Sequence, residues 1–187
     1  MNALVTRFSE HPVDPLFLAR WSPRAYDGTP LPLADLLTIF EAARWAPSAY
    51  NKQPWRFIYA LPEDDNWQQF VALLDPFNSE WAQHAGALVF LLSDTRAASH
   101  KFDAGAAWSH IALQSHQLGY QAHAMGGIFH DRAKQELAVP DDFNVEIGIA
   151  IGTIGDANHL TLKLREREKP STRFPLAELV FSGRFSE

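Results

Sequence analysis

The chain contains no cysteine, which removes disulfides, thiolate zinc sites, iron–sulfur clusters and a cysteine nucleophile from consideration. Basic residues are in deficit as well: 16 Lys and Arg stand against 22 Asp and Glu, a net charge of −6 over 187 residues. A surface of that sign does not attract a phosphate backbone, so nucleic acid is not an expected partner. Long hydrophobic runs are missing too. The longest purely apolar run is Ala87 to Leu92, far below the ~20 residues of a membrane span, and Met1 to Glu10 has no apolar core of a secretory signal. A cytoplasmic protein without a membrane segment is the expectation. Several chemical signatures are absent: no GxSxG elbow, no GxxxxGK[ST] phosphate loop, no HExxH, no GxGxxG, and no i,i+4 pair among the eight histidines. No metal site is expected.

What is present is an ordinary globular composition, 47% apolar, with 12% aromatic residues that include 6 Trp. At this length one domain spanning residues 1–187 is expected, with a core that needs no covalent staples. Leu33, Leu36, Leu37, Phe40 and Ala43 recur at helical spacing and predict a helix from about Pro32 to Trp45. Trp55 to Leu61, bounded by prolines, reads as a strand, Asn66 to Leu74 as a short helix, and Ala87 to Leu92 as a buried strand. Ala104, Ala107, Trp108, Ile111, Ser115 and Leu118 share one face of a long helix from about Arg96 to Leu118. Its small residues suit close packing against another helix, including one of a second subunit. His123 to Phe129 reads as a glycine-bearing loop, Arg132 to Ala138 as a helix capped by Asp131, and Val145 to Ile154 as a strand. Helices cluster rather than alternate strictly with strands, which favours an α+β fold. Residues 158–187 form a basic tail with Lys163, Arg165, Arg167, Lys169 and Arg173.

Three loops carry residue types suited to a flat, anionic, hydrogen-bonding ligand. In an extended segment Arg20, Ser22 and Arg24 project to one side, a grip for phosphate; the same residues also suit a solvated turn. Between Pro47 and Pro54, Ser48, Asn51 and Gln53 offer donors and acceptors for the edge of a heterocycle, beyond what a helix-to-strand connection requires. In Met125-Gly126-Gly127 the paired glycines allow bare backbone N–H groups to approach a ligand atom, or make a simple turn. Ser171-Thr172-Arg173 can add a phosphate contact.

The ordered set Arg20-x-Ser22-x-Arg24, Ala46-Pro47-Ser48-x-x-Asn51-x-Gln53-Pro54-Trp55, Met125-Gly126-Gly127 and Ser171-x-Arg173-x-Pro175-Leu176 resembles the nitroreductase family of FMN flavoproteins, over about residues 16 to 185. The Pro-Ser-x-x-Asn-x-Gln-Pro-Trp segment is the most specific part. The resemblance implies a central, mainly antiparallel sheet flanked by helices, in an intertwined homodimer whose C-terminal arm, 158–187, reaches the partner subunit. It places Arg20, Trp21, Ser22 and Arg24, with Ser171 and Arg173, around the FMN phosphate and ribityl end. Pro47, Ser48, Asn51 and Gln53 fall to the partner chain's contribution, Met125, Gly126 and Gly127 to the loop near flavin N5, and Asn78 is a candidate for a further ring-contacting Asn. Two departures from the family pattern stand out: Gly126 where many relatives have Glu, and Ser171 where some have Lys.

On that resemblance the protein is an FMN-dependent oxidoreductase that takes a hydride from NADH or NADPH and passes electrons to a small-molecule acceptor, nitroaromatic, quinone or related, in ping-pong turnover. The flavin carries the chemistry, so no side chain is assigned a catalytic role. A dehalogenase or enoyl-type reductase of the same fold, and a non-catalytic flavin-binding module, are the competing readings.

Overall fold

A computed structural model describes residues 7–185. In chain order the elements are α1 (Pro15–Ala19), α2 (Leu33–Arg44), β1 (Trp55–Ala60), α3 (Trp67–Ala72), α4 (Pro76–Ala82), β2 (Ala87–Asp94), α5 (His100–Gln117), β3 (Gln121–Met125), α6 (His130–Glu136), β4 (Phe143–Gly152) and α7 (Leu162–Arg165). The four strands form one sheet in the order β1-β2-β4-β3, and every neighbouring pair is antiparallel. The α+β class and the antiparallel sheet expected from the sequence are both present. No helix among the described residues is long and apolar enough to cross a membrane.

The sheet is covered on both faces. Leu88, Phe90 and Leu92 of β2 pack with Trp67, Phe70 and Trp81 on one side, while Ala87, Val89 and Leu91 pack with Leu36, Ile39, Ala107 and Ile111 on the other. A strand buried on both faces has no polar side to alternate with, which is why β2 reads as an unbroken apolar run. Register on β4 shifts within this core. Leu91 faces Ile147 but Leu92 faces Val145, leaving Glu146 as the extra residue of a bulge. Its insertion reverses the parity of the strand, so Val145 joins the first core and Ile147, Ile149 and Ile151 the second.

Several expectations are corrected. In α2 the buried line is Leu36, Ile39 and Ala43, whereas Leu33 and Leu37 are 45% and 51% exposed, because only one side of the apolar arc meets α5 and the sheet. The small residues of α5 serve this chain itself. Ala104, Ala107, Ile111 and Ser115 are all buried, the first three within the core shared with α2 and the sheet, so they offer no surface to a second subunit. Helix α5 begins at His100 rather than Arg96, because the Asp94 carboxylate accepts the Arg96 N–H at 3.0 Å and shapes a turn there. The segment read as a loop from His123 belongs to β3 as far as Met125. Gln-Ala-His-Ala-Met lacks β-branched residues, and its strand conformation comes from pairing with β4. In α6 the cap position is Phe129, and Asp131 lies in the first turn. Helix α4 was not anticipated, although Asp75 at its N-cap followed by Pro76 is a recognisable start signal.

Since Ala107 is fully buried between α5, α2 and the sheet, Ala107→Leu should overpack a single chain and destabilise it by about 1–3 kcal/mol. Urea unfolding should show the loss at every protein concentration; a loss confined to dilute protein would place Ala107 at a subunit contact instead.

Candidate functional site

Strand β3 lies at the edge of the sheet, and the segment from Arg20 to Arg24 is anchored beside it. The His123 ring of β3 donates from Nδ1 to the Pro23 carbonyl at 2.8 Å. From the basic tail, the Glu168 carboxylate accepts the N–H groups of Arg24 and Ala25 at 2.8 and 2.9 Å. The Tyr26 hydroxyl donates to the Ala150 carbonyl at 3.1 Å, and Tyr26 bridges to Ile154. Held at these points, the segment has Trp21 and Ser22 half-buried, and Arg20 Nη1 donates to Ser22 Oγ at 3.1 Å, the same-side arrangement expected of an extended run.

The C-terminal tail brings Ser171 and Arg173 to the same place. Arg173 Nη1 donates to Ser171 Oγ and to the Thr172 carbonyl, both at 2.9 Å. A residue that sequence reasoning missed links the two segments. Arg7 Nη1 donates to the carbonyls of Leu18 (3.1 Å) and Arg20 (2.9 Å), while its Nε donates to the Ser171 carbonyl at 3.0 Å. Nothing in local spacing marks Arg7, which is 13 residues before Arg20 and 164 before Ser171. Glu168 was likewise unmarked, one acid among tail cations.

Charge is left unbalanced here. Burial, followed by the like charges of Arg7 and Arg173, lowers the pKa of Arg20 from its ordinary value, and burial with Arg173 does the same to Arg7. Among the described residues no carboxylate forms an ion pair with Arg7, Arg20 or Arg173. Arg24 points elsewhere: its guanidinium lies 5.9 Å from the centroid of the Trp81 ring, and its Nε is buried without a partner. His123, against Trp81 and between Arg20 and Arg24, is held neutral at pH 7. Burial is the main cause, the two guanidinium charges add to it against the pull of the Pro23 carbonyl, and the pKa falls to about 4.

Beyond His123 the same edge leads to Met125, Gly126 and Gly127. The two glycines differ. At Gly126 a Cβ would meet nothing within 4 Å, and its N–H, like that of Gly127, has no acceptor among the described residues. At Gly127 a Cβ would lie 2.0 Å from Asp75 Oδ2 and 2.6 Å from Asn78 Nδ2. The reason for Gly127 is therefore internal to the chain: its carbonyl accepts from Asp75 N–H and Asn78 Nδ2, each at 3.0 Å, locking the loop onto the start of α4. Asn78, buried, acts here as the prop of that loop.

The remaining candidates lie at another corner. Pro47 to Gln53 enters β1 where Trp55 pairs with Ser93, and the Pro54 carbonyl accepts from Asp94 N–H at 2.9 Å. Tyr50, Asn51 and Gln53 have φ of 50°, 54° and 47°, left-handed values that need support in non-glycine residues. Support comes from Ser48 Oγ, which accepts Gln53 N–H at 3.0 Å, and from the buried Asp103 carboxylate, 3.3 Å from Ala49 N. His123 shares a row of the sheet with Ala150, Leu88 and Ala60, at the far end of β1. Strand rise and spacing place this loop on the order of 20 Å from the arginine segment. One protomer does not bring the two groups together.

The nitroreductase family model matches residues 18–153. A crystallised oxidoreductase containing FMN is 52% identical, with a TM-score of 0.95 over 100% of this chain and 99% of its own. A candidate nitroreductase from Desulfovibrio desulfuricans, solved in complex with FMN, is 26% identical over 95% of this chain and 100% of its own, with a TM-score of 0.74. A nitroreductase family protein from Clostridium difficile, 19% identical, shares the fold at a TM-score of 0.73 over 91% of this chain and 97% of its own. No curated protein sequence matches the chain.

Two outcomes follow from this geometry. Gly127→Ala should cost the Asp75 cap and force a clash, together about 2–4 kcal/mol, whereas Gly126→Ala should leave the melting temperature unchanged. Equal melting of the two variants would contradict it. For His123 the folded pKa lies below the ordinary 6.5, so the unfolded chain binds the extra proton between pH 6.5 and 4. Stability is complete above pH 6.5 and is lost as the pH falls toward 4, by at most about 3 kcal/mol because the ring keeps some solvent contact. Replacing His123 by Gln should flatten that part of the pH–stability profile; an unchanged slope would assign it to other groups.

Proposed function

Because this chain belongs to the nitroreductase family, we propose that it is an FMN-dependent oxidoreductase that draws electrons from NADH or NADPH and delivers them, in ping-pong half-reactions, to a nitroaromatic, quinone or related small-molecule acceptor. The observation that carries the cofactor assignment is an arginine cluster that no carboxylate pairs with among the described residues, set on the same sheet edge as a glycine loop whose N–H groups have no acceptor among them. A phosphate at one end and a hydrogen-bonding ring at the other fit that pair of features. When bound, FMN supplies the hydride-accepting N5 position, so the protein's part is to bind, orient and enclose.

Each group in the chain has a share in that part. Arg20, Ser22 and Arg173, with Trp21 and Ser171 around them, hold the phosphate and ribityl end, while Arg24, packed over Trp81, stands aside from it. Met125, Gly126 and Gly127 present backbone donors toward N5, with the loop held in position through Asn78 and Asp75. Gly126, with no side chain and open space beside it, leaves the substrate face accessible. Ser48, Asn51 and Gln53, with Pro47 stiffening their loop, complete the site of the partner subunit. The separation within one chain of about 20 Å is the reason for a shared site and hence a homodimer. In that assembly the tail, 158–187, is the arm that crosses. Its exposed Phe174, Leu179 and Val180 would find cover there.

The purified protein should show flavin absorption bands that bleach on anaerobic addition of NADH or NADPH and return with an acceptor quinone. A colourless protein would defeat the cofactor assignment, and bound flavin that neither nucleotide reduces would leave a binding module. A charge-assisted contact is worth about 1.5–3 kcal/mol, so Arg20→Ala should weaken FMN binding by roughly tenfold to a hundredfold, read by equilibrium titration.

A further inference from the structure

We propose that Arg7 is a third cationic ligand of the bound phosphate, and that with Arg20 and Arg173 it makes the site select a flavin bearing a terminal phosphate over the unphosphorylated flavin. This rests on the cofactor reading above. Arg7 spends Nη1 and Nε on three carbonyl oxygens, those of Leu18, Arg20 and Ser171, which fix the plane of its guanidinium between the arginine segment and the tail. Its remaining nitrogen, Nη2, is buried and has no partner. A charged donor buried without an acceptor is costly, and so is the mutual repulsion of Arg7, Arg20 and Arg173, which no carboxylate among the described residues offsets by an ion pair. Both costs are relieved by one doubly charged anion that accepts from all three. A role as a clamp alone explains the carbonyl contacts but leaves Nη2 and the surplus charge unaccounted for.

The two roles differ in what they do to flavins with and without phosphate. Full-length protein stripped of flavin is titrated with FMN and with riboflavin, by fluorescence quenching, for the parent and for Arg7→Gln. The proposal expects FMN binding to weaken about tenfold to a hundredfold while riboflavin binding changes by less than about threefold. Equal weakening of both flavins would reduce Arg7 to a clamp and overturn the proposal. If Arg7→Gln does not fold, the parent decides: the Arg7 guanidinium N–H resonances should move as inorganic phosphate is added, and resonances that stay still overturn the assignment. Should the parent bind neither flavin, the cofactor reading fails separately, while the phosphate titration still tests Arg7 itself.

Discussion

Burial of β2 on both faces is the constraint from which the rest of the molecule follows. With Leu88, Phe90 and Leu92 directed one way and Ala87, Val89 and Leu91 the other, both faces of the sheet must be covered by helices. That leaves ligand chemistry to the edges and ends of the sheet. The long helix α5 therefore spends its small residues on approaching its own sheet and α2, and the bulge at Glu146 sends Val145 into the first core while Ile147, two residues on, meets the second. Edge strand β3 is short and weakly β-forming, and it owes its conformation to β4. In return it carries both the histidine that anchors the arginine segment and the glycine loop that follows.

Electrostatics then acts on a prepared frame. The Arg20 to Arg24 segment is held through backbone groups, the Pro23 carbonyl on His123 and the Arg24 and Ala25 N–H groups on Glu168, so its anchoring does not consume the charge of Arg20. Acids and bases are thereby sorted. The Glu168 carboxylate is consumed by backbone N–H groups of the segment, and among the described residues no carboxylate forms an ion pair with Arg7, Arg20 or Arg173. A net-negative chain has in this way concentrated positive charge at one point, a local field of the sign that attracts an anion. His123, kept neutral beside two arginines, anchors the segment without adding to that charge.

Strain is organised in the same manner at the opposite corner. The left-handed residues Tyr50, Asn51 and Gln53 persist because Ser48 and the buried Asp103 over-determine the loop. Tyr50 is 96% exposed, so the loop is shaped without being buried.

The sequence by itself determined the α+β class, the strands β1, β2 and β4, the two long helices, and the family, because periodicity, prolines and the Pro-Ser-x-x-Asn-x-Gln-Pro-Trp spacing are local signals. Tertiary structure decided the rest. Which side of α2 is buried, and that α5 packs on its own chain, depend on what each helix meets rather than on its own spacing. Gly126 and Gly127 look alike in the sequence, and only the approach of Asp75 and Asn78 separates them. Arg7 and Glu168 could not be singled out by local spacing, since their partners lie 11 to 164 residues away and are backbone atoms, which leave no trace in side-chain identity.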